Sequence, residues 1–391
     1  MVARSNEAKI LGVKMGQPWH HLNDLVRQQG IIGLSSNYAL YADISNRFVS
    51  ILGDFSPVLE VYSVDECFLC VDGLQAHWSN WEAMGQAIRR RLVTDVGLPV
   101  CVGFAPTKTL AKLANHVAKK QPALHGVCDF TSMSASAFTQ LAAGLDVGDV
   151  WGIGGRLGEQ LRDAGIATIQ ALRDAPHDWL RTRFGVVLSR LWHELHGVPC
   201  IEIEEAPAPK KQIISSRSFG TPVLLFDDLA SAVSTYVTRA AEKLRAQAST
   251  CETLQVFVMT NAFRPQDPQY SNAVTVPLPN PSNDTRLLVK AALFGLRRIY
   301  RERYRYKKAG VVLNGISDAA TQRQRSIFPL VGTGERSDNL MSVLDSLNQA
   351  FGRDTVCLGA VGSKQTWRMR TERKSPCFTT RWAEIPVVHA R

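Results

Sequence analysis

The sequence predicts a multidomain protein built from α/β and α+β layers, and three observations predict it. The chain has 391 residues, 45% of them hydrophobic, a length that suits two to four domains better than one core. Strand and helix patterns alternate over residues 36–130, which indicates an α/β sheet layer. Residues 212–318 read strand–helix–strand–strand–helix–strand, which indicates a small sheet backed by two helices.

Composition indicates the cellular compartment and the class of binding partner. No apolar run is long enough to cross a bilayer and no signal-peptide pattern opens the chain, so we expect a cytoplasmic protein without a membrane partner. The eight cysteines are scattered and are expected to be thiols. The net charge is +10, and residues 212–318 hold 14 basic and 8 acidic side chains. Nucleic acid is the natural partner of such a surface, and a solvated basic face is the alternative.

The first half of the chain shows short, well-punctuated elements. Residues 3–30 read as short helical pieces broken by glycine and proline. Further on, the patterns predict helices over 37–52, 80–96 and 107–120 and strands over 58–71 and 99–104. The 58–71 stretch reads as two strands around a tight corner at Ser63–Glu66. Residues 132–197 read as helices joined by glycine-containing turns.

The second half begins with a linker. Residues 206–211, Ala-Pro-Ala-Pro-Lys-Lys, combine stiff prolines with solvated lysines. Beyond it the patterns predict strands over 212–219, 253–260, 272–277 and 309–315 and helices over 227–248 and 284–304. The last seventy residues are weakly patterned and are expected to be partly extended.

Asp65 and Glu66 are the first chemical signal. They sit between two apolar strands, and an unpaired carboxylate is costly to bury, so they belong at a turn or near a site. Two adjacent carboxylates suit Mg²⁺, which prefers hard oxygen ligands. Both reach one ion only if the backbone bends, because neighbouring side chains on a strand point to opposite faces. For a bare Asp-Glu pair, an exposed hairpin tip is the better interpretation.

A resemblance to a known family favours the metal-site interpretation over the exposed hairpin tip. Tyr62-Ser63-Val64-Asp65-Glu66-Cys67-Phe68 resembles the palm signature S-[IV]-D-E-[AC]-[FY] of the Y-family DNA polymerases. Residues 102–114 resemble the strand, turn and Lys-rich helix behind that site, and residues 35–45 resemble the helix before it. Residues 3–16 resemble the fingers segment. The motifs follow the family's order, and the resemblance, to the UmuC group, spans nearly the whole chain.

The resemblance implies a right-hand polymerase fold. It divides the chain into fingers, palm, a helix-hairpin-helix thumb, a linker, a βαββαβ little finger and a C-terminal extension that begins with a clamp-binding loop. The implied ranges are 1–35, 36–130, 131–205, 206–211, 212–318 and 319–391.

The same resemblance implies the chemistry, an error-prone DNA synthesis past damaged bases in the SOS response. Asp65 and Glu66 would ligate the two Mg²⁺ ions of nucleotidyl transfer from a dNTP substrate. Lys9 and Lys119 fall where the family places cationic contacts to the triphosphate. In isolation, each lysine would be read as a solvated surface residue.

One family feature is not found in this sequence. The family's first metal-binding Asp and its aromatic steric gate precede the fingers, and here the fingers motif begins at residue 2. A misassigned start codon, a truncated gene and a non-catalytic relative all remain open, and we favour the first two. We expect the chain as written to have little or no polymerase activity.

Residues 150–168 carry a helix-hairpin-helix pattern around Gly152, Ile153 and Gly154. Glycines let the backbone approach a phosphate, and amides at the start of the second helix point at it. A plain helical turn is the less favoured alternative. Binding of this kind would not depend on DNA sequence.

Residues 297–308 carry seven basic side chains interleaved with tyrosines. We favour contacts of Arg301 and Arg305 with the DNA backbone over a solvated helix face. Arg217 and Ser218 on the first little-finger strand are further candidates.

Gln324, Ile327 and Phe328 resemble the Gln-x-x-[Leu/Ile]-Phe peptide that docks on the sliding clamp. The resemblance also implies primer-template DNA, a cleaved UmuD-like subunit and the recombinase filament as partners. Cys67 and Cys70 form a C-x-x-C that we interpret as structural. Two other functions stay open, a non-catalytic DNA- and clamp-binding mutasome component and, more weakly, a helix-hairpin-helix repair nuclease or glycosylase.

Overall fold

The computed structural model describes residues 1–320, 335–362, 365–369 and 371–388. The chain divides into two compact units. The first unit comprises Met1–Pro207 together with Arg373–Arg391, and the second unit comprises Ala208–Glu372. The chain passes from the first unit to the second between Pro207 and Ala208, which lie within the predicted linker. No helix in the described ranges is long and apolar enough to cross a membrane.

The first unit is mainly helical, with two small sheets. Its helices are α1 (Asn6–Ile10), α2 (Asn23–Gln29), α3 (Tyr38–Gly53), α4 (Trp81–Val96), α5 (Lys108–Lys120), α6 (Ala135–Ala143), α7 (Gly155–Asp163), α8 (Ile169–Asp174), α9 (His177–Phe184) and α10 (Val186–Leu195). Its strands are β1 (Leu59–Val61), β2 (Cys67–Leu69), β3 (Val102–Phe104) and β4 (Val127–Asp129).

Capping side chains fix the starts of the helices that build the palm region. The side chains of Asn37, Asn80 and Thr107 accept bonds from backbone amides in the first turns of α3, α4 and α5. Such caps satisfy amides that have no partner within the helix. The three helices predicted from periodicity over 37–52, 80–96 and 107–120 are thereby confirmed to within a residue or two.

The two small sheets flank α5. Strands β1 and β2 are antiparallel, with Glu60 opposite Phe68, and the predicted corner joins them. Strand β3 pairs in parallel with β4. The sequence patterns do not predict β4, because a strand of three residues shows no alternation. Gly103 of β3 is required by packing, since a Cβ there would lie 2.3 Å from the Asn115 amide of α5.

The helices α6–α10 share one apolar core with the buried face of α5. Its fully buried members include Leu161, Ile169, Leu172 and Leu188. A second core lies under α3 and α4, around Met84 and Leu92. The helical prediction for 132–197 is confirmed.

The second unit is a four-stranded antiparallel sheet with two helices on one face. Its elements are β5 (Ile213–Val223), α11 (Phe226–Ala246), β6 (Ser249–Thr260), β7 (Ser271–Ser282), α12 (Thr285–Ile299) and β8 (Tyr306–Asp318). The spatial order is β5-β8-β6-β7, and β7 with its three prolines is an edge strand, where a missing amide is tolerated. The predicted βαββαβ order is confirmed, although the strands are longer than predicted.

One helix boundary was predicted wrongly. Helix α12 ends at Ile299, five residues before the predicted end, because Tyr300 adopts an extended conformation and its hydroxyl donates to the carbonyl of Leu224. The basic residues from Arg301 onward therefore lie in a loop and on β8, and not on a helix face.

The C-terminal segment is more structured than predicted. Helix α13 (Glu335–Phe351) is followed by Trp367, which is buried in the core of the second unit beside Phe219 and Tyr236. Residues 373–391 belong to the first unit, where the fully buried Asn37 side chain donates to Ser375 and Pro376 carbonyls. The segment predicted as one extension thus contributes to both units.

Candidate active site and nucleic-acid interface

The corner between β1 and β2 presents the two predicted carboxylates. The amides of Tyr62 and Ser63 donate to the carbonyl of Glu66 at 3.1 and 3.0 Å, which closes the turn. The Ser63 hydroxyl donates to Asp65 Oδ1 at 2.8 Å. Asp65 is exposed and Glu66 is 40% exposed, so both acids reach the surface at this turn.

Glu66 is paired with a lysine that the sequence reading did not single out. Lys112 Nζ of α5 lies 3.0 Å from Glu66 Oε2. The same ammonium lies 4.3 Å from the ring centroid of Tyr62 and 5.2 Å from that of Trp151. The Trp151 indole N–H donates to the Tyr62 hydroxyl at 3.1 Å, so a residue of the hairpin touches the corner.

Lys112 belongs to a row of paired side chains along α5. Residues 108, 112, 116 and 120 follow at four-residue spacing and share one helix face. Lys108 pairs with Glu60, Lys112 with Glu66 and Lys120 with Asp149, while His116 Nε2 lies 3.4 Å from the Asp149 carboxylate. Burial lowers the pKa of His116 in spite of its nearness to Asp149. The spacing is the signal that could have identified Lys112 from sequence.

The two predicted triphosphate contacts are both solvent-accessible. Lys9 is exposed on α1, and Lys119 is exposed near the end of α5, seven residues after Lys112. Seven residues are two helical turns, roughly 10 Å along the axis. Lys119 therefore lies near the same side of α5 as the residue that holds Glu66.

The corner supplies part of a ligand set for Mg²⁺. Within the described ranges no three His, Cys, Asp or Glu side chains are grouped as ligands of one ion. The corner thus offers two hard carboxylates, and Mg²⁺ in phosphoryl-transfer sites is commonly held by one or two carboxylates together with substrate phosphates. Asp65 and Glu66 are the residues that would hold it.

The predicted hairpin has the backbone that its glycines require. Gly152 adopts φ +95°, and a Cβ there would lie 3.1 Å from Leu191 Cδ1. Ile153 is buried, while Gly154 is exposed at the start of α7 with no atom near the position of a Cβ. The first amides of α7 have no partner within the helix, and Gly154 before them carries no side chain, an arrangement that suits a phosphate.

Two of the predicted DNA contacts, Ser218 and Arg217, lie on opposite faces of the sheet of the second unit. Helices α11 and α12 cover one face, and the opposite face carries Ser218 beside Lys308 and Phe257. Arg217 alternates with Ser218 and lies at the sheet edge on the helix side, where its charge lowers the pKa of Tyr236 although burial raises that pKa overall.

The basic loop after α12 packs against tyrosine side chains, of which Tyr306 is buried. Arg301 and Arg305 are exposed, and the Arg301 guanidinium lies 5.6 Å from the ring centroid of Tyr270. The fully buried Tyr306 accepts from the Arg301 amide at 2.8 Å. Tyr306 anchors the start of the loop, and the exposed Arg301 and Arg305 are accessible to a polyanion.

Two further predictions have simple outcomes. Gln324, Ile327 and Phe328 lie outside the described residues. Cys67 and Cys70 are free thiols, and burial raises the pKa of Cys67 to about 11, which agrees with a structural role.

Comparison with known proteins places the chain in a family. A model described as the impB/mucB/samB family matches residues 1–116, and its C-terminal domain matches residues 210–327. A domain of unknown function (DUF4113) matches residues 338–388.

Individual relatives match over almost the whole chain. Protein ImpB of Salmonella typhimurium is 40% identical over 99% of this chain and 91% of its own length. Protein UmuC of Salmonella typhimurium strain LT2 is 39% identical over 98% of this chain and 90% of its own length. DNA polymerase IV of Dehalococcoides mccartyi strain CBDB1 is 27% identical over 95% of this chain and 88% of its own length.

A solved structure agrees at the level of fold. A Y-family DNA polymerase chimera of Dbh and Dpo4 covers 80% of this chain and 86% of its own, with a TM-score of 0.60 and 21% identity. Together with the family models and the identity to ImpB and UmuC, this likeness confirms the predicted polymerase fold. The chain therefore belongs to the impB/mucB/samB family and is a UmuC-like member of the Y-family DNA polymerases.

Proposed function

We propose that this chain carries out Mg²⁺-dependent, template-directed nucleotidyl transfer opposite damaged bases, as part of error-prone translesion synthesis in the SOS response. The single observation that carries the proposal is the corner itself. Asp65 and Glu66 project from a tight turn, with Lys112 bonded to Glu66 and Trp151 linking the corner to the hairpin. The proposed metal ligands and the proposed phosphate-binding turn are thus linked by side-chain contacts within the first unit.

The chain's own residues divide the work. Asp65 and Glu66 hold divalent metal, while Lys9 and Lys119 offer point charges to the triphosphate of a dNTP. Bound Mg²⁺ supplies activation of the primer 3′ hydroxyl and neutralisation of charge on the triphosphate and the leaving pyrophosphate. Lys112 bonds to Glu66 Oε2, so the carboxylate must loosen this bond in part when it turns toward a cation.

Primer-template DNA is held through its backbone. The amides that follow Gly154 meet one phosphate, and Ser218, Lys308, Arg301 and Arg305 offer polar and cationic contacts on the second unit. None of these groups reads a base edge, so the grip is independent of sequence. That property suits an enzyme that works wherever a lesion occurs.

The protein partners rest on the family. A cleaved UmuD-like subunit and the recombinase filament are proposed because relatives at about 40% identity include UmuC and ImpB. A sliding clamp is proposed to bind Gln324, Ile327 and Phe328. Replacing Ile327 and Phe328 with alanine should abolish clamp binding and spare DNA binding, and unchanged clamp affinity would refute that assignment.

The experiment that tests the proposed function is primer extension past an abasic site by the purified chain. Any extension, which we expect to be weak for the chain as written, should require template and Mg²⁺ and should disappear in Asp65→Asn. Extension that persists in Asp65→Asn would contradict the assignment of the corner. The assay should also include a chain translated from any in-frame codons upstream, because the expected low activity of the chain as written stays a prediction.

One observation favours a second candidate, a non-catalytic component that binds DNA and clamp. In the described part of the chain, no third acidic ligand joins Asp65 and Glu66. Tight primer-template binding without extension, in both the chain and its upstream-extended form, is the result that this candidate predicts.

A further inference from the structure

Lys112 lies where three groups of the first unit meet. Its ammonium contacts the carboxylate of Glu66 at 3.0 Å, the ring of Tyr62 at 4.3 Å and the ring of Trp151 at 5.2 Å. These partners come from the metal-facing corner and from the hairpin. One side chain of α5 therefore touches both the catalytic and the DNA-holding parts.

The burial of Lys112 makes its charge effective. Its side chain is 20% exposed, whereas that of Lys120, four residues beyond His116 on the same helix face, is 55% exposed. An exposed ion pair contributes little, but a partly desolvated ammonium over aromatic rings interacts more strongly with both charges and ring faces. Lys120 is thus a matched control on the same helix.

Trp151 fixes the hairpin to the corner. Its indole N–H donates to the Tyr62 hydroxyl at 3.1 Å, and its ring also packs 5.9 Å from that of Phe68. The next residue is Gly152, whose backbone forms the turn that presents the phosphate-binding amides. Movement of the turn and movement of the Trp151 ring are therefore linked.

We propose that Lys112 is a positioning residue that couples Glu66 to the DNA-holding hairpin through Trp151, an inference that rests on the proposed function of the corner. A Glu66 carboxylate that turns toward a divalent cation gives up part of its bond with Lys112. The ammonium is repelled by the added charge and moves further onto the rings of Tyr62 and Trp151. Because linkage is reciprocal, DNA that fixes the hairpin changes the affinity of the corner for the cation.

The test is a titration of intrinsic tryptophan emission with Mg²⁺ alone, using the full chain. The difference between the chain and Trp151→Phe isolates the Trp151 signal. A saturable Mg²⁺-dependent change should occur in the chain and in Lys120→Met. It should be absent in Trp151→Phe, Lys112→Met and Glu66→Gln, and Lys112→Arg should restore it because the positive charge returns.

The reciprocal arm adds primer-template DNA. The Mg²⁺ concentration at half-saturation should fall at least about fivefold with DNA, the lower end of common coupling factors, and this shift should vanish in Lys112→Met. The proposal would be overturned if Mg²⁺ did not change the emission of the unsubstituted chain, or if the change persisted in Lys112→Met. It would also be overturned if DNA shifted the Mg²⁺ concentration at half-saturation equally in Lys112→Met and in the unsubstituted chain.

These outcomes are separate from those of the extension assay. Loss of the signal in Glu66→Gln, with no primer extension by either the chain or its upstream-extended form, would contradict the proposed catalysis and leave the coupling intact. Thermal unfolding of Lys112→Met and Lys112→Arg serves as a folding check, since a merely structural lysine would move the melting temperature and not the response to Mg²⁺.

Discussion

Lys108 of α5 donates to Glu60 of β1 across 2.5 Å, and the two side chains are 9% and 10% exposed. The same lysine donates to the carbonyl of Glu202 at 3.0 Å, and the Glu204 amide donates to Glu60 at 2.7 Å. A buried charge pair, with a further hydrogen bond to each partner, thus joins the corner strand, the helix behind it and the segment before the linker.

Breaking this pair on one side should destabilise the first unit. Lys108→Met or Glu60→Leu leaves the partner in a site with little water, and we expect each to lower the free energy of unfolding by about 3 kcal/mol. Urea unfolding followed by circular dichroism measures the loss.

The double variant provides the control for that prediction. Lys108→Met combined with Glu60→Leu leaves no uncompensated charge, so it should lose much less than either single variant. Losses that simply add would show that the two residues act independently.

The hairpin offers two neighbouring glycines with different requirements. Gly152→Ala places a side chain at φ +95° and against Leu191, so it should destabilise the first unit by roughly 1–2 kcal/mol. Gly154→Ala meets no atom within 4 Å, so it should leave stability unchanged and weaken duplex binding about tenfold by keeping the phosphate away. Fluorescence anisotropy with a labelled duplex and thermal unfolding separate the two effects, and equal DNA affinity of Gly154→Ala and the chain would argue against phosphate contact there.

The sequence could predict structure that depends on neighbouring residues, but not the contacts between residues that are far apart in the chain. Helix α5, its Thr107 cap and the corner at Ser63–Glu66 follow from periodicity and turn chemistry. The partners of α5 do not, since Lys112 and Glu66 are 46 residues apart and Trp151 and Tyr62 are 89 apart. Their four-residue spacing could have indicated that Lys108, Lys112 and Lys120 share a face of α5, but only tertiary packing shows which carboxylates meet them.

The C-terminal segment shows a second limit. Trp367 completes the core of the second unit, although the sequence around it has no periodic apolar pattern. A single aromatic anchor in an irregular segment leaves no signal that a pattern search detects. The same holds for Asn37, whose buried amide is satisfied by residues about 340 positions later.

Trp367 provides a stability prediction with a matched control. Its indole is 4% exposed and donates to Ser231 Oγ at 3.1 Å, so Trp367→Ala should cost the second unit about 3–5 kcal/mol. Trp382 is 91% exposed, and Trp382→Ala should change stability by less than about 0.5 kcal/mol. Similar unfolding midpoints for the two variants would contradict the assignment of Trp367 to the core.

Cys67 gives a prediction in pH. Burial raises the pKa of its thiol to about 11, and the thiolate is the reactive form. At pH 8 roughly one Cys67 in a thousand is ionised, so iodoacetamide should modify the exposed Cys357 first. Between pH 8 and 9.5 the Cys67 rate should rise about tenfold per unit, because the thiolate fraction does. Peptide mass mapping measures both rates, and equal labelling at pH 8 would show that Cys67 is not shielded.

The central claim is that Asp65 and Glu66 hold divalent metal against a nucleotide's phosphates. The most direct test is equilibrium binding of a fluorescent dNTP to the chain on primer-template DNA, with and without Mg²⁺. We predict that binding requires Mg²⁺ and weakens about tenfold or more in Asp65→Asn and in Glu66→Gln, a loss of at least roughly 1.4 kcal/mol. Nucleotide binding that ignores Mg²⁺, or that is equally tight in both variants, would contradict the account.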